Sequence, residues 1–204
     1  MSIGHRFMGD ELFEIVPRPW RQLAGPEKLP ITDYARLLWM RQLHEQGHQR
    51  VVWLDADILM LDASFMPPHG DFMCRELWFF IDSKGQIRHF DAVNNCAMSF
   101  EAESPLLAWY LEACRVAPEA APLPKLALGP DILRQRDLTH RLPRIDSIPT
   151  LSPFLIEAVQ RDDERVLRGV RSLWRGAPAA LHLAGSVADN EAMEILIDRL
   201  AAGF

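Results

Sequence analysis

The order of apolar and polar residues predicts a helix followed by a buried strand early in the chain. Apolar residues recur at helical spacing over residues 31–43, with Thr32 as the expected N-cap and Asp33 in the first turn. Gly47 is expected to end this helix. The run 51–61 is apolar on both sides of a single acidic interruption, which predicts a strand buried on both faces that stops at Asp55 and Asp57. Helix, short link and buried strand together predict an α/β fold.

Further elements follow from the same patterns. We expect a second helix capped by Ser104 over residues 105–116, with Pro105 at its first position, and a last helix over residues 191–200. The aromatic residues at 77–81 are interpreted as hairpin and core packing, with the border of an acceptor site as the alternative. Strands are expected at 4–16, at 72–80 and 87–90 around a glycine turn, at 93–100, at 144–148 on a sheet edge, and before His182.

Composition limits the classes of protein. A chain of 204 residues with 49% hydrophobic content can bury one core, so residues 1–204 are expected to form one domain. The net charge of -6 argues against nucleic acid as a partner. Three cysteines form neither a disulfide framework nor a zinc pattern. No apolar run has the length of a signal peptide or membrane span, so a cytoplasmic location is expected, with peripheral membrane contact left open.

Asp55 and Asp57 are the first candidates for chemistry. Two carboxylates beside an apolar strand are costly to desolvate unless they lie at an open sheet edge or are neutralised by a cation. Hard divalent ions prefer oxygen ligands and often share their shell with phosphate oxygens. The pair therefore predicts a clamp for a metal and a diphosphate, and the alternative is a strand-to-loop turn with two solvated acids.

The sequence around this pair resembles a known family. Thr32-Asp33-Tyr34-Ala35-Arg36, followed by Trp53-Leu54-Asp55-Ala56-Asp57, is similar to nucleotide-sugar glycosyltransferases of the GT-A fold, above all to retaining capsular polysaccharide, mannosyl and galactosyl transferases. The resemblance implies an α/β fold with a mixed, mainly parallel sheet flanked by helices. It also implies that Asp33 and Arg36 bind the donor, that Asp55 lies by the ribose and the metal, and that Asp57 is a direct metal ligand.

Three later residues extend the resemblance. Asn95, with Asn94 second, resembles the amide that the family directs at the donor sugar, although both suit a turn. Asp131 follows a Gly-Pro that resembles the start of a late helix near the donor, and helix capping alone would explain it. His182 resembles the family's late histidine, which completes the metal shell. An imidazole ligand favours Mn²⁺ over Mg²⁺.

The expected activity is therefore metal-dependent transfer of a sugar from a nucleoside-diphosphate sugar to a saccharide or other hydroxyl acceptor, with retention, in polysaccharide biosynthesis. No catalytic base or nucleophile is evident in the sequence. The resemblance begins at the family's second strand, so the chain is expected to lack the first strand and helix of the fold.

Three alternatives compete with this interpretation. His44-Glu45-Gln46-Gly47-His48 fits the zinc-protease pattern His-Glu-x-x-His, which requires one helix to carry both histidines. A strand ending in Asp-x-Asp also occurs in phosphatases of the haloacid dehalogenase type, where the first aspartate is the nucleophile. No persuasive lysine and acidic pair follow here, because Asp162-Asp163 lies in a charged run typical of a surface. The third alternative is a GT-A-like domain that has lost catalysis and serves as a binding module.

Overall fold

The computed structural model of the protein describes residues 9–23, 29–117, 123–124, 126–150, 152–171 and 178–183, together with residues 194 and 198. The helices are α1 (Arg18–Leu23), α2 (Leu29–Glu45), α3 (Pro105–Val116), α4 (Pro130–Thr139), α5 (Pro153–Gln160) and α6 (Glu164–Arg171), preceded by a 3-10 helix at Asp10–Ile15. The strands are β1 (Arg50–Leu54), β2 (Ile58–Met60), β3 (Phe72–Ile81), β4 (Ile87–Glu101), β5 (Arg144–Thr150) and β6 (Ala180–His182).

The strands form a six-stranded sheet in the order β1-β4-β3-β5-β6-β2. β5 pairs in parallel with β3 and with β6, whereas β6 pairs antiparallel with β2. β3 and β4 form a hairpin, and bonds from Asp55 N–H to Cys96 O and from Ala102 N–H to Gln49 O show that β1 runs antiparallel to β4. The predicted α/β class with a mixed sheet is confirmed. The expected predominance of parallel pairing is wrong for the described strands.

Contacts divide the chain into two compact units. The first comprises Met1–Trp53 with Ser99–His140, and the second comprises Leu54–Met98 with Arg141–Phe204. The expectation of a single domain remains a prediction.

In the first unit, α2 packs against the 3-10 helix and against α3. Leu37 and Met40 of α2 and Tyr110 of α3 are fully buried there. α3 begins as predicted, because the Ser104 hydroxyl accepts a hydrogen bond from the N–H of Leu107 at 2.9 Å and Pro105 occupies a position that needs no donor.

Gly47 sets the end of α2, as predicted. Its N–H donates to the carbonyl of His44 at 2.9 Å, and the N–H of His48 donates to the carbonyl of Leu43 at 3.2 Å. With the glycine φ at 95°, these two bonds form a Schellman motif. The start of α2 differs from the prediction, because the helix already begins at Leu29; Thr32 therefore lies inside it and is not its N-cap.

In the second unit, α5 covers one face of the sheet. The Ser152 hydroxyl accepts hydrogen bonds from the N–H groups of Phe79 and Leu155, which ties the start of α5 to β3. The core under α5 contains Leu77, Phe79, Leu155, Ile156, Ala158, Val159, Val166, Leu181 and Leu183. Successive strand residues point to opposite faces, so Glu76, Trp78 and His182 point away from α5.

Several other predictions of local structure are corrected. Residues 10–15 form a 3-10 helix instead of a strand, and β5 lies between β3 and β6 instead of on an edge. Residues 87–101 form one strand where two were expected, and β2 was not predicted as a separate strand. β1 is less buried than predicted, since Leu54 is exposed. The helix predicted at 191–200 lies outside the described residues apart from 194 and 198, and residues 4–8 lie outside them as well.

None of the helices in the described part of the chain is both long and apolar enough to cross a membrane.

Candidate metal centre

Asp55 and Asp57 lie in the tight turn that joins β1 to β2. The N–H of Ile58 donates to the carbonyl of Asp55 across this turn at 3.3 Å. The N–H of Asp55 donates to the carbonyl of Cys96 on β4 at 2.8 Å, and the carbonyl of Asp57 accepts from the N–H of Leu183, just after β6, at 3.0 Å. The backbone of each aspartate is therefore held by a different part of the sheet. These hydrogen bonds fix the backbone positions from which the two side chains extend.

His182 is the last residue of β6 and faces Asp57. The sheet register pairs it with Ile58 of β2 and with Thr150, the last residue of β5. Its Nε2 lies 3.2 Å from Oδ1 of Asp57, and its Nδ1 lies 3.3 Å from Oγ1 of Thr150. The residue is only 9% exposed, so the imidazole is buried and has a polar contact at each of its two nitrogens.

The three residues predicted as metal ligands come together in this place. One ligand atom from each of Asp55, Asp57 and His182 lies within 4.8 Å of the other two. A six-coordinate ion with metal–ligand distances of about 2.1 Å needs neighbouring ligand atoms about 3 Å apart and opposite ones about 4 Å apart. The 3.2 Å between Asp57 and His182 fits neighbouring positions, and a small side-chain movement brings Asp55 into range. Two carboxylates and an imidazole are a donor set that fits a first-row divalent ion.

The protonation of His182 is set by its neighbours. Burial lowers its pKa, whereas the Cys96 sulphur and the Asp57 carboxylate raise it, and the pKa of His182 lies above its ordinary value as a result. Burial raises the pKa of the Cys96 thiol well above its usual range, so this sulphur is uncharged at neutral pH. The charge that stabilises the imidazolium is therefore that of Asp57. A metal ion must displace the proton on Nε2 before it binds there.

The two amides predicted near the donor sugar differ in their surroundings. Oδ1 of Asn94 accepts a hydrogen bond from the N–H of Cys96 at 2.7 Å, which is a local backbone contact. Asn95 precedes Cys96 on β4, and the Cys96 sulphur lies 3.7 Å from Oγ1 of Thr150. Since strand residues alternate in direction, Asn95 points to the face opposite Thr150 and His182. Its contact with the donor remains a prediction.

Asp33 and Arg36 lie one turn apart on α2 in the first unit. Both are buried, and NH2 of Arg36 lies 3.3 Å from Oδ1 of Asp33. The guanidinium of Arg36 also lies over the ring of Trp53, 5.4 Å from its centroid. Removing one partner of a buried ion pair leaves the other charge uncompensated, so replacing either residue alone is expected to destabilise the protein. Its role in donor binding remains a prediction.

Asp131 lies in the first turn of α4, where Gly129 and Pro130 open the helix as predicted. Its Oδ1 lies 3.8 Å from NH1 of Arg134, and a carboxylate at this end of a helix is favoured by the helix dipole. These contacts account for Asp131 without a ligand. Its place at the donor remains a prediction.

Sequence reasoning missed two residues that contact His182. Thr150 and Cys96 are both buried and approach the imidazole from β5 and β4. No local pattern marks either of them, because their contact with His182 depends on the order and register of three strands that are distant in sequence.

The protein matches no family model, no curated protein and no solved structure with which it was compared.

The geometry bears on two of the alternatives. The zinc-protease pattern needs His44 and His48 on one helix, but α2 ends at Glu45 and Nδ1 of His44 lies 2.8 Å from the backbone carbonyl of His48. The acidic pair of the phosphatase alternative lies between α5 and α6, where Oδ1 of Asp163 accepts hydrogen bonds from the N–H groups of Arg165 and Val166. Asp163 therefore caps α6.

Proposed function

We propose that the protein is a GT-A-type glycosyltransferase that transfers a sugar from a nucleoside-diphosphate sugar to a hydroxyl acceptor in polysaccharide biosynthesis. The observation that carries the proposal is the convergence of Asp55, Asp57 and His182 from two separate parts of the sequence. The residues flanking Asp55 and Asp57, which resemble those of the family, specify the reaction class. The mixed α/β sheet is compatible with this class.

The donor set favours Mn²⁺ over Mg²⁺. Asp55 and Asp57 supply oxygens that suit either ion, whereas the imidazole of His182 suits Mn²⁺ better. When bound, the ion stabilises the negative charge that develops on the departing diphosphate, an effect worth several kcal/mol of the barrier.

The chain's own residues hold the ligands and the donor in place. The turn at residues 55–58 fixes Asp55 and Asp57, and Thr150 fixes the ring of His182. Asp33 and Arg36 are assigned to donor binding on the basis of the resemblance, and so is retention at the anomeric carbon. No side chain is assigned as nucleophile or base.

Calorimetric titration of the purified chain with UDP and with GDP, each with and without Mn²⁺, tests the proposal. We expect binding that requires Mn²⁺, and the preferred base then directs a donor screen. Asp62→Asn serves as the matched control for Asp57→Asn, because Asp62 is an exposed aspartate in the loop after β2 whose carboxylate accepts hydrogen bonds from the N–H and the hydroxyl of Ser64. A folded protein that binds neither nucleotide, with or without Mn²⁺, contradicts the proposal and favours a non-catalytic binding module.

A further inference from the structure

The β3–β4 hairpin extends beyond the strands that carry the candidate metal centre. The register pairs Glu76 of β3 with Thr150, and Thr150 with His182, the last residues of β5 and β6. β3 continues past this row to Ile81. Because β3 is parallel to β5, residues 77–81 project past the carboxyl ends of β5 and β6. Ligands bind outside the carboxyl ends of the strands in open α/β sheets.

The two faces of this projecting hairpin differ. Leu77 and Phe79 point into the core under α5, so that face is covered. Trp78 and Phe80 alternate with them and lie on the face of Glu76, Thr150 and His182, because paired strand residues point to the same side. One face of the hairpin is therefore held rigidly by α5, and the other lies on the same side as the metal centre.

Three aromatic rings cluster on the face that points away from α5. Phe90 of β4 stacks on Trp78 with centroids 6.3 Å apart, and it lies 6.3 Å from Phe80. Phe80 is 40% exposed and Phe90 is 43% exposed. We call Trp78, Phe80 and Phe90 the aromatic platform. Clustered exposed rings on a soluble domain mark a binding site, since burying them against a partner is favourable.

The chemistry of the platform favours a saccharide. The faces of aromatic rings carry negative charge, and the C–H groups on one face of a pyranose ring carry the complementary partial positive charge. Arg88, a cation on the same hairpin, is paired with Asp82 at 3.0 Å, and the whole chain carries a net charge of -6. An anionic membrane surface, which attracts exposed basic clusters, is therefore the less suitable partner.

The distance to the metal centre fits an acceptor. Trp78 lies two residues along β3 from the row of Glu76 and two strand spacings from His182, which is about 12 Å across the sheet. A donor held at the metal centre points its sugar away from the metal-bound diphosphate, and a short oligosaccharide spans the remaining gap.

We propose that the aromatic platform is the acceptor subsite and that it binds a saccharide by stacking pyranose rings on Trp78, Phe80 and Phe90. The proposal rests on the proposed function, since it takes the metal centre as the donor site. It names the acceptor as a saccharide instead of a lipid or protein hydroxyl.

An array of defined oligosaccharides covering the common hexoses, hexosamines and uronic acids identifies saccharides that the full chain binds, and calorimetry then measures their affinity. We expect Phe80→Ala and Phe90→Ala each to weaken binding about tenfold. Phe80→Tyr and Trp78→Phe, which keep a ring, retain most of the affinity. Ile81→Ala is the matched control, because Ile81 neighbours Phe80, is 55% exposed and points to the opposite face.

The outcomes separate this proposal from the proposed function, because Mn²⁺-dependent binding of UDP and GDP is measured on the same samples. Nucleotide binding without any saccharide binding overturns the platform and leaves the transferase standing. Saccharide binding that depends on Phe80 and Phe90, without nucleotide binding, supports the platform as a saccharide site but removes the transferase and with it the acceptor role. Equal saccharide affinity in all variants overturns the platform. The platform is also overturned if the chain binds no saccharide but binds phosphatidylethanolamine–phosphatidylglycerol vesicles, and the alanine variants lose this vesicle binding.

Discussion

The hydroxyl of Thr150 lies 3.3 Å from Nδ1 of His182, and the same two residues are backbone partners between β5 and β6. The sheet register therefore brings the hydroxyl to the imidazole. A hydrogen bond donated from Nδ1 to this hydroxyl leaves Nε2 as the nitrogen that faces Asp57 and a metal ion.

Thr150→Val removes that hydrogen bond while keeping the shape of the side chain. We expect Mn²⁺ affinity to fall by about tenfold to a hundredfold, because the ring loses the contact that orients Nε2. Calorimetric titration with Mn²⁺ alone measures the change. Thr150→Ser keeps the hydroxyl and is expected to retain most of the affinity. Equal affinities in a folded Val variant and the parent chain would show that Thr150 does not orient the ligand.

Metal affinity should depend on pH through His182. Its raised pKa favours the protonated imidazole, which must release a proton when a metal binds Nε2. Affinity for Mn²⁺ should therefore rise with pH, by up to about tenfold per pH unit, until the pH reaches the raised pKa. Titrations in buffers of different ionisation enthalpy count the protons released. His182→Gln should abolish this release, and a release that survives the substitution excludes His182 as its source.

The raised pKa of His182 also makes the stability of the metal-free protein depend on pH. The folded-state pKa of His182 is raised above the ordinary value of 6.5, so its contribution to metal-free stability is complete below about pH 6.5 and is lost as the pH rises through the raised pKa. Asp57→Asn should remove most of this contribution, because Asp57 supplies the stabilising charge. Urea unfolding of both chains at about pH 6 and pH 9, with a metal chelator present, measures the difference. If the free energy of unfolding changes between the two pH values by the same amount in Asp57→Asn as in the parent chain, Asp57 is not the charge that stabilises the imidazolium of His182.

Local signals predicted several helix ends and two strand ends. Gly47 predicts the end of α2, Ser104 with Pro105 predicts the start of α3, and Pro130 predicts the start of α4, because each of these residues satisfies or avoids a helix-end hydrogen bond. The apolar run before Asp55 and the small strand before His182 likewise placed two metal ligands at strand ends.

Tertiary contacts decide the features that the sequence did not reveal. β5 was expected on an edge, yet it lies between β3 and β6. Its charged residues are compensated there, because Asp146 pairs with Arg75 and Arg144 pairs with Asp91. β2 is only Ile58–Met60, too short for a pattern, and its strand conformation depends on pairing with β6.

Asp57→Asn should weaken Mn²⁺-dependent nucleotide binding by more than about tenfold while leaving the fold intact. The amide keeps the size of the side chain but loses the charge that binds the metal. Calorimetry with the preferred nucleotide and Mn²⁺ measures the effect, and circular dichroism checks the fold. Asp62→Asn should behave like the parent chain. Unchanged affinity in Asp57→Asn removes Asp57 from the metal shell.

The candidate metal centre and the His-Glu-x-x-His pattern predict different effects of replacing histidines. The Schellman motif at Gly47 keeps His48 outside α2, so His44 and His48 do not form a helical zinc site. We expect His44→Ala and His48→Ala to change the affinity for Mn²⁺ and for Zn²⁺ by less than about twofold, since neither side chain contributes to the group formed with Asp55 and Asp57. His182→Ala should lower both affinities by more than about tenfold, because it removes a ligand. If His44→Ala or His48→Ala loses zinc binding while His182→Ala keeps the affinity of the parent chain, the metal site lies at the end of α2 instead.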